Sequence, residues 1–322
     1  EGQGEDGYFA SYGDVSVHEL MLRDRPRMQA YRDAIVGNRK MFEGKTVLDV
    51  GTGTGVLAMW CAQAGARRVY AVEGSDMAHV AKKLVAANKL EGVVEVIHGV
   101  MEDVSLPEKV DVIVSEWMGF YLFHEAMLPS VLFARDKWLN KGGAMLPSEV
   151  TLWAAPCNTY ACLAEGLDVS LLGEMREEAG AGAPNVVQLE ERMLMSAPAV
   201  LETWDCGDVT AEELVSVRAK ASVAADRAGQ VNGVCLWFDC AFGEGVVLKT
   251  GPGEDPTHWM QTVVMLGATV EVEKGDVLPF EVCAKACRVQ VHVHRRTHTH
   301  CRQVHMKQDD ANSRRYIVTV TT

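Results

Sequence analysis

The sequence predicts an α/β + β fold, in which a doubly wound parallel sheet is followed by a largely antiparallel β domain. Short β-branched runs, typical of strands buried on both faces, alternate with helix-length segments at 46–50, 69–72, 93–97 and 110–114. Strands separated by helices need right-handed crossovers, so these runs predict a parallel sheet. After about Pro147 the alternation stops and strand-like runs follow one another closely.

The N-terminal region, residues 1–40, is predicted to be helical. Apolar residues recur there at helical spacing and predict one long helix. They are Leu20, Met21, Met28, Tyr31 and Ile35. From Lys45 the alternating pattern begins, so we place the sheet domain at 41–147.

The second half, residues 148–322, is predicted to be the antiparallel β domain. Its clearest strand-like runs are 234–240, 261–266, 269–273, 289–293 and 316–320. The segment 160–182 is richer in Ala, Leu and Glu and is predicted to be helical. We interpret it as an arm that stands off the β domain.

Composition and charge narrow the class of protein. The chain has 322 residues, enough for two domains, and 23% of them are charged, which is typical of an ordered globular protein. A net charge of −13 disfavours direct binding to nucleic acid or membranes and attracts cationic partners. The nine cysteines lack disulfide spacing, and no apolar run is long enough to span a bilayer. We therefore expect a cytoplasmic location, with the nucleus as a further compartment.

A glycine-rich turn, Asp49-Val-Gly51-Thr-Gly53-Thr-Gly55, follows the first predicted strand directly. Glycines at such a turn let a ligand lie against bare backbone. Their spacing differs from the Gly-x-Gly-x-x-Gly of dinucleotide sites. Glu73 ends the second strand about twenty residues later, where a carboxylate can accept both ribose hydroxyls. Because no pyrophosphate has to be held, S-adenosylmethionine fits better than NAD, with S-adenosylhomocysteine as the product.

Two further contacts to this cofactor follow from position. Met101 and Glu102 come after the third predicted strand, where adenine is expected, and a carboxylate there can accept a hydrogen bond from the exocyclic amine. The carboxylate of the cofactor needs a cation, and Arg27 is the candidate because a guanidinium can pair bidentately with it. Position alone does not choose between Arg27 and its neighbours Arg23, Arg25 and Arg32.

A hairpin follows the fourth predicted strand, and Glu116 and Glu125 enclose mostly aromatic and apolar residues there. Buried carboxylates need a cationic partner, and a guanidinium offers five donors that two carboxylates can share. Two carboxylates would hold the positive charge on one side, so that one terminal nitrogen becomes nucleophilic toward a sulfonium methyl group. The hairpin therefore indicates methyl transfer to arginine.

On these residues the sequence resembles the type I protein arginine methyltransferases over nearly its whole length. The resemblance rests on Tyr8-Phe9-Ala-Ser11-Tyr12, His18-Glu-Leu-Met21-Leu22, the glycine-rich turn, the hairpin 115–125, Phe133-Ala-Arg-Asp-Lys-Trp138 and Thr257-His258-Trp259. The hairpin and the Thr-His-Trp triplet are specific to the family, whereas the glycine turn is not. The resemblance implies a Rossmann-like S-adenosylmethionine-binding domain, a β-barrel-like domain and an active site between them.

The resemblance also implies roles that the residues alone do not reveal. Tyr8, Phe9 and Tyr12 would belong to a lid over the bound cofactor. His258 would lie near Asp24 and take up a proton or hold the N-terminal helix. The catalytic set is then Glu116, Glu125, His258 and Asp24. The cofactor set is Tyr8, Phe9, His18, Met21, Arg27, Asp49, Gly51, Gly53, Glu73, Met101, Glu102 and Met127. The substrate set is Tyr12, Met21, Glu116, Met118, Glu125, His258 and Trp259.

Product, substrates and assembly follow from the same resemblance. The sizes of Met21 and Met127 would leave room for a second methyl group on one nitrogen, so monomethyl- and asymmetric dimethylarginine are expected. The implied substrates are arginine-rich proteins such as RNA-binding proteins or histones. The family dimerises through a helical arm, which we place at about 158–184, and we expect a homodimer.

The sequence leaves two alternative functions open. A small-molecule S-adenosylmethionine-dependent methyltransferase would share the glycine turn without needing the paired glutamates. A catalytically silent family member could act as a regulatory partner, although the intact glycines and glutamates argue against it. We expect no metal site, because His292, His294, His298 and His300 alternate along a strand rather than converge.

Overall fold

Helices and strands alternate in the first half of the chain, and strands dominate the second half. A computed structural model describes residues 13–122, 127–160, 185–285, 288–293, 303–309 and 312–321. The helices are α1 (Val15–Arg23), α2 (Arg25–Ile35), α3 (Arg39–Phe42), α4 (Val56–Gln63), α5 (Met77–Ala87), α6 (Leu128–Trp138) and α7 (Ala211–Val215). The strands are β1 (Thr46–Val50), β2 (Arg68–Glu73), β3 (Val94–His98), β4 (Val110–Val114), β5 (Leu139–Leu146), β6 (Glu149–Cys157), β7 (Asn185–Val187), β8 (Ala199–Asp205), β9 (Ser216–Ala224), β10 (Gly229–Ala241), β11 (Val247–Lys249), β12 (Gln261–Val272), β13 (Val277–Lys285), β14 (Arg288–Val293), β15 (Gln303–Asp309) and β16 (Asn312–Thr321).

The first half forms a parallel sheet in the order β3-β2-β1-β4-β5, which confirms the predicted Rossmann-like domain. All of β1 is buried, and α4 and α6 contact it. The strand order reverses between β1 and β4, and ligands bind at the carboxyl ends of strands at such a point. The sequence predicts β3 to be buried on both faces, but much of β3 is accessible because it lies at the edge of the sheet.

The N-terminal pattern forms two helices rather than the one long helix that its spacing predicts. Asp24 stands between α1 and α2 with an extended backbone. Its carboxylate accepts a hydrogen bond from the Arg27 amide at 3.1 Å, and Pro26 occupies the first turn of α2. An acidic N-cap followed by proline starts a new helix. The spacing of apolar residues is helical on both sides of Asp24, so it conceals the break.

The second half forms the predicted antiparallel β domain. Its main sheet has the order β7-β12-β10-β6-β8, with β11 beside β10. Strands β14, β13 and β9 form a second sheet, and β15 pairs with β16. The runs 261–266 and 269–273 are not two strands, because the chain stays extended between them and makes one strand, β12. The predicted arm at about 158–184 falls almost entirely in 161–184, outside the described residues.

Hydrogen bonds and ring packing join the two domains. Nη1 of Arg135, on α6 of the first domain, donates hydrogen bonds to the carbonyl oxygens of Cys206 (3.0 Å) and Val209 (2.6 Å) in the β domain. The ring of Tyr31 on α2 packs edge-on against Phe242, with the centroids 4.7 Å apart. These contacts hold the two domains together. Among the described residues, no helix combines the length and apolar character needed to cross a membrane.

Candidate active site

The loop between β1 and α4 forms one wall of a cavity at the carboxyl edge of the parallel sheet. Gly51, Gly53 and Gly55 adopt φ values of +71°, +54° and +81°, which residues with a Cβ rarely adopt. A Cβ added at Gly51 would lie 2.3 Å from Cε of Met127, and one added at Gly53 would lie 3.0 Å from the His18 ring. The loop therefore needs glycine both for its conformation and for its close packing.

Glu73 lies beside this loop with its carboxylate held in a fixed orientation. Its Oε2 accepts a hydrogen bond from the Gly53 amide at 2.8 Å, and its Oε1 accepts one from the Ser75 amide at 2.9 Å. Each oxygen keeps a further lone pair, so the carboxylate can still accept hydrogen bonds from a ligand. Glu73 lines the cavity where the sequence predicts the ribose site.

Most of the remaining predicted cofactor residues that the structure describes line the same cavity. Met101 is buried and Glu102 is exposed at the end that follows β3. The other predicted cofactor residues that line it are His18, Met21, Arg27 and Met127, and the predicted substrate residues Glu116, Met118 and His258 line it as well. Thr52 of the glycine-rich turn also lines it, as do Gly99 and Ser130, which no motif in the sequence distinguishes.

Asp49 does not line the cavity, so its predicted contact with the cofactor is not supported by its position. Its Oδ2 accepts hydrogen bonds from the Thr52 hydroxyl at 2.5 Å and from the Ala58 amide at 3.1 Å. Burial raises the pKa of Asp49 to about 7, although these two hydrogen bonds act to lower it. Asp49 therefore holds the glycine-rich loop and the start of α4 from behind.

Arg27 and Glu116 form a buried ion pair inside the cavity. Nε and Nη2 of Arg27 lie 3.0 and 2.9 Å from Oε2 of Glu116, and the two side chains are only 8% and 9% exposed. Nη1 of Arg27 donates to the Met21 carbonyl oxygen at 3.1 Å, and Oε1 of Glu116 accepts from the Met118 amide at 3.2 Å. The sequence predicts Arg27 as the partner of the cofactor carboxylate and does not predict this pair.

The same geometry distinguishes Arg27 from the other arginines of the N-terminal helices. Arg23, Arg25 and Arg32 are exposed, and Arg23 pairs with Glu19 on the surface. Within the described part of the chain, Arg27 is the arginine that lines the cavity.

His258 lines the same cavity as Arg27 and Glu116, and Asp24 holds it in place. The Asp24 Oδ2 accepts hydrogen bonds from the His258 amide at 2.8 Å and from its Nδ1 at 2.6 Å. Burial acts to raise the pKa of Asp24, but the hydrogen bonds from His258 and Arg27 outweigh it, so this pKa lies below its ordinary value. Asp24 does not line the cavity, so it acts on the site through His258 and Arg27.

The sequence predicts that Trp259 binds the substrate, but in the structure Trp259 lies behind the cavity. Its Nε1 donates to the Met118 carbonyl oxygen at 2.7 Å, and its ring packs against His258 and Phe238. It is 3% exposed and does not line the cavity. Trp259 therefore fastens the loop that carries Glu116 to the β domain.

Two buried hydroxyl groups support the same loop from within the parallel sheet. Tyr31 donates to the Ser115 carbonyl oxygen at 2.9 Å, and the Ser115 hydroxyl donates to the Val50 carbonyl oxygen at 2.8 Å. The ends of β1 and β4 and helix α2 are thus joined directly below Glu116. In the sequence Tyr31 is only one of several apolar positions, and nothing marks it as a support of the site.

Four predicted residues lie outside the described residues. They are Tyr8, Phe9 and Tyr12 of the predicted lid and Glu125 of the hairpin. The hairpin is described up to Leu122, where Gly119 and Leu122 exchange backbone hydrogen bonds. Tyr121 and Leu122 adopt positive φ values of 43° and 75°, an uncommon conformation that is often found at functional sites.

The cavity suits an adenosyl cofactor of the kind predicted. Bare backbone at Gly51 and Gly53 permits close approach, the Glu73 carboxylate is oriented to accept ribose hydroxyls, and Arg27 provides a cation for a carboxylate. Methionine side chains line the space between these groups, and a polarisable apolar surface accommodates a sulfonium centre.

Comparison with known proteins agrees with this geometry. A family model described as "Methyltransferase domain" matches residues 47–143, and one described as "Arginine methyltransferase oligomerization subdomain" matches residues 144–300. Protein arginine N-methyltransferase 6 of Danio rerio is 42% identical over 292 residues, which cover 85% of this chain and 83% of that protein.

Two solved structures are similar over almost the whole chain. Arabidopsis thaliana protein arginine methyltransferase 10 has a TM-score of 0.80 at 33% identity, covering 98% of this chain and 99% of that one. The Trypanosoma brucei PRMT1 enzyme-prozyme heterotetrameric complex with AdoHcy has a TM-score of 0.81 at 29% identity, covering 97% of this chain and 100% of that one.

Proposed function

This chain belongs to the protein arginine N-methyltransferase family, and from that premise we propose how its residues carry out the reaction. The enzyme transfers methyl groups from S-adenosylmethionine to arginine in proteins. Bound S-adenosylmethionine supplies an electrophilic methyl group on a sulfonium. The observation that carries the proposal is the position of Glu116. Its carboxylate lines the cavity and already binds one guanidinium there, that of Arg27.

Glu116 is proposed to bind the guanidinium of the substrate arginine. Arg27 already pairs with Oε2 of Glu116, whereas Oε1 accepts a hydrogen bond from the Met118 amide and keeps a lone pair for a donor of the substrate guanidinium. The resemblance of the sequence to the family assigns Glu125 as the second carboxylate. Two carboxylates hold the positive charge of the guanidinium to one side, which leaves one terminal nitrogen richer in electrons for attack on the methyl group.

Arg27 is proposed to orient Glu116 while it also pairs with the carboxylate of the cofactor. Its Nε and Nη2 both contact one oxygen of Glu116, and its Nη1 is anchored on the Met21 carbonyl oxygen. A guanidinium has five donors, so these contacts leave donors for a second carboxylate. Arg27 would thereby couple the cofactor side of the cavity to the substrate side.

His258 is proposed to accept the proton that the substrate loses on methylation. The low pKa of Asp24 keeps this carboxylate ionised at neutral pH, so it accepts the Nδ1–H of His258. This tautomer leaves Nε2 of His258 as an acceptor. The same pair ties the β domain to the junction of α1 and α2, so it also holds the cleft in shape.

Monomethyl- and asymmetric dimethylarginine are the proposed products. Met21 and Met127 both line the cavity, which supports the comparison with type I enzymes. Arginine-rich proteins are the proposed substrates, because the chain carries a net charge of −13 and steers cationic partners toward itself.

A homodimer is the proposed assembly. The chain carries an arginine methyltransferase oligomerization subdomain at residues 144–300, and the predicted arm at about 158–184 lies within it. Light scattering after size exclusion tests this proposal, with a mass of twice 35.2 kDa as the expected result. A monomeric mass at micromolar concentration would contradict it.

The reaction is tested by mass spectrometry of an arginine-glycine-rich peptide incubated with the enzyme and S-adenosylmethionine. A matched peptide with lysine in place of arginine is the control. We expect one and two methyl groups on the arginine peptide and none on the lysine peptide, with fragment ions of asymmetric dimethylarginine. No gain on the arginine peptide, together with intact binding of S-adenosylhomocysteine, would contradict the proposed activity and favour a silent regulator.

A further inference from the structure

Three metal-ligating side chains converge on the surface beside the cofactor cavity. Asp76 is the N-cap of α5, His79 lies in the first turn of that helix, and His98 is the last residue of β3. One ligand atom from each of the three lies within 4.8 Å of the other two. The cluster is independent of the reacting groups, because none of the three residues lines the cavity.

Ordinary local roles do not account for these side chains. An aspartate at an N-cap usually accepts a hydrogen bond from the following turn, but the Asp76 side chain makes no capping bond. Ser75 provides that bond instead, to the Met77 amide at 3.2 Å. The imidazoles of His79 and His98 pack edge-on, with their centroids 5.2 Å apart, and in the described part of the chain neither forms a hydrogen bond or an ion pair.

The donor set identifies the class of ion. Calcium and magnesium prefer oxygen ligands only, whereas two imidazole nitrogens and one carboxylate oxygen suit zinc and its neighbours in the transition series. Metal–ligand bonds of about 2.0–2.2 Å place the ligand atoms of a tetrahedral zinc site about 3.4 Å apart. All three side chains are exposed, so they can rotate to close the remaining gap.

We propose that Asp76, His79 and His98 bind one divalent transition metal ion, for which Zn²⁺ is the natural probe. The three residues supply three ligands, and water completes the coordination. The site joins the turn after β2 to the end of β3, since Glu73 and His98 are register partners in the sheet. A bound ion would therefore clamp two segments that continue into cavity walls, at Glu73 and at 99–102.

Zinc titration of the full chain by calorimetry, after removal of metal with a chelator, tests the site. The chain has other histidines near its C-terminus, at His292, His294, His298 and His300, which could bind zinc independently. The H79Q/H98Q double variant is therefore compared with a matched control, H298Q/H300Q. We expect H79Q/H98Q to lose one equivalent of zinc relative to wild type and the control to keep that equivalent.

A milder variant protects the test against an effect on folding. D76N keeps a side chain that favours N-caps but removes the charged ligand. We expect D76N to weaken zinc binding at the site by at least about tenfold, while its S-adenosylhomocysteine affinity without metal equals that of wild type. Equal zinc stoichiometry and affinity in wild type, D76N and H79Q/H98Q would overturn the proposal, as would the absence of micromolar binding to wild type.

Discussion

The two walls of the cavity are held in different ways. The cofactor wall consists of a glycine-rich loop and Glu73, and backbone amides within one sheet edge orient the carboxylate. The substrate wall consists of charged side chains from separate parts of the chain. Arg27 reaches Glu116 across 89 positions, and Asp24 reaches His258 across 234. One wall is local backbone geometry, and the other is a network that spans the domain interface.

This difference implies that the two walls can be disabled separately. A change in the glycine loop should affect cofactor affinity first, because the hydrogen bonds of the charged network go to Met21, to Met118 and to one another. A change in the network should affect turnover first, because cofactor binding retains the loop and Glu73. Arg27 is the link between the walls, so variants of its partner Glu116 test the separation most severely.

The largest effect is expected for Glu116→Gln. The amide keeps the shape of the side chain but removes the negative charge that binds and polarises the guanidinium, and it leaves Arg27 without its counter-ion. We expect kcat/KM to fall by about 10³-fold or more. S-adenosylhomocysteine affinity, measured by calorimetry, should change by less than about tenfold, because the glycine-rich loop and Glu73 keep their hydrogen bonds. Normal turnover in this variant, or in Glu125→Gln, would sink the proposed mechanism.

The second effect is expected for Gly51→Ala, which breaks the cofactor wall. The residue has φ +71°, and the new Cβ would lie 2.3 Å from Cε of Met127. Strain and overpacking should weaken S-adenosylhomocysteine binding by roughly 10–100-fold. Gly44→Ala is the matched control, because Gly44 has φ +70° with nothing within 4 Å of the added Cβ. Equal loss of affinity in both variants would show that close packing at Gly51 does not matter.

The third effect is expected for Asp24→Asn, which loosens the substrate wall while it preserves an N-cap. Loss of the charged hydrogen bonds to His258 should lower kcat by about tenfold and stability by about 1–3 kcal/mol at neutral pH. The Asp24 pKa is lower in the folded chain than its ordinary 3.8, so its contribution is full above that value. It is lost as pH falls through the folded pKa. Denaturant unfolding at pH 7 and at a pH below the folded pKa should therefore show the wild-type advantage disappearing in acid, and a constant difference would contradict it.

The same contrast explains what could be predicted from the sequence. Gly51, Gly53 and Glu73 stand at strand ends with recognisable spacing, so the cofactor wall could be predicted from the sequence. The pairing of Arg27 with Glu116 could not, because helix periodicity gives position along α2 but not the distance to a residue after β4. Asp24 illustrates the same limit, since the break between α1 and α2 depends on a cap that apolar spacing does not reveal.

The smallest effect is expected for Trp259→Phe, which sharpens the comparison because this residue supports the substrate wall without lining the cavity. Phenylalanine retains the ring packed against Phe238 but cannot donate to the Met118 carbonyl oxygen, now accepting a 2.7 Å hydrogen bond. A buried carbonyl left without this partner should cost about 1–2 kcal/mol of unfolding free energy. Because the hydrogen bond fastens the loop that carries Glu116, we expect KM for an arginine peptide to rise about 2–5-fold, with S-adenosylhomocysteine affinity unchanged.

Phe238→Leu is a control for the Trp259→Phe variant, because it removes the ring packing and keeps the hydrogen bond. If W259F weakens cofactor binding as much as it raises KM, the two walls are not separable and the charged network extends into the cofactor wall.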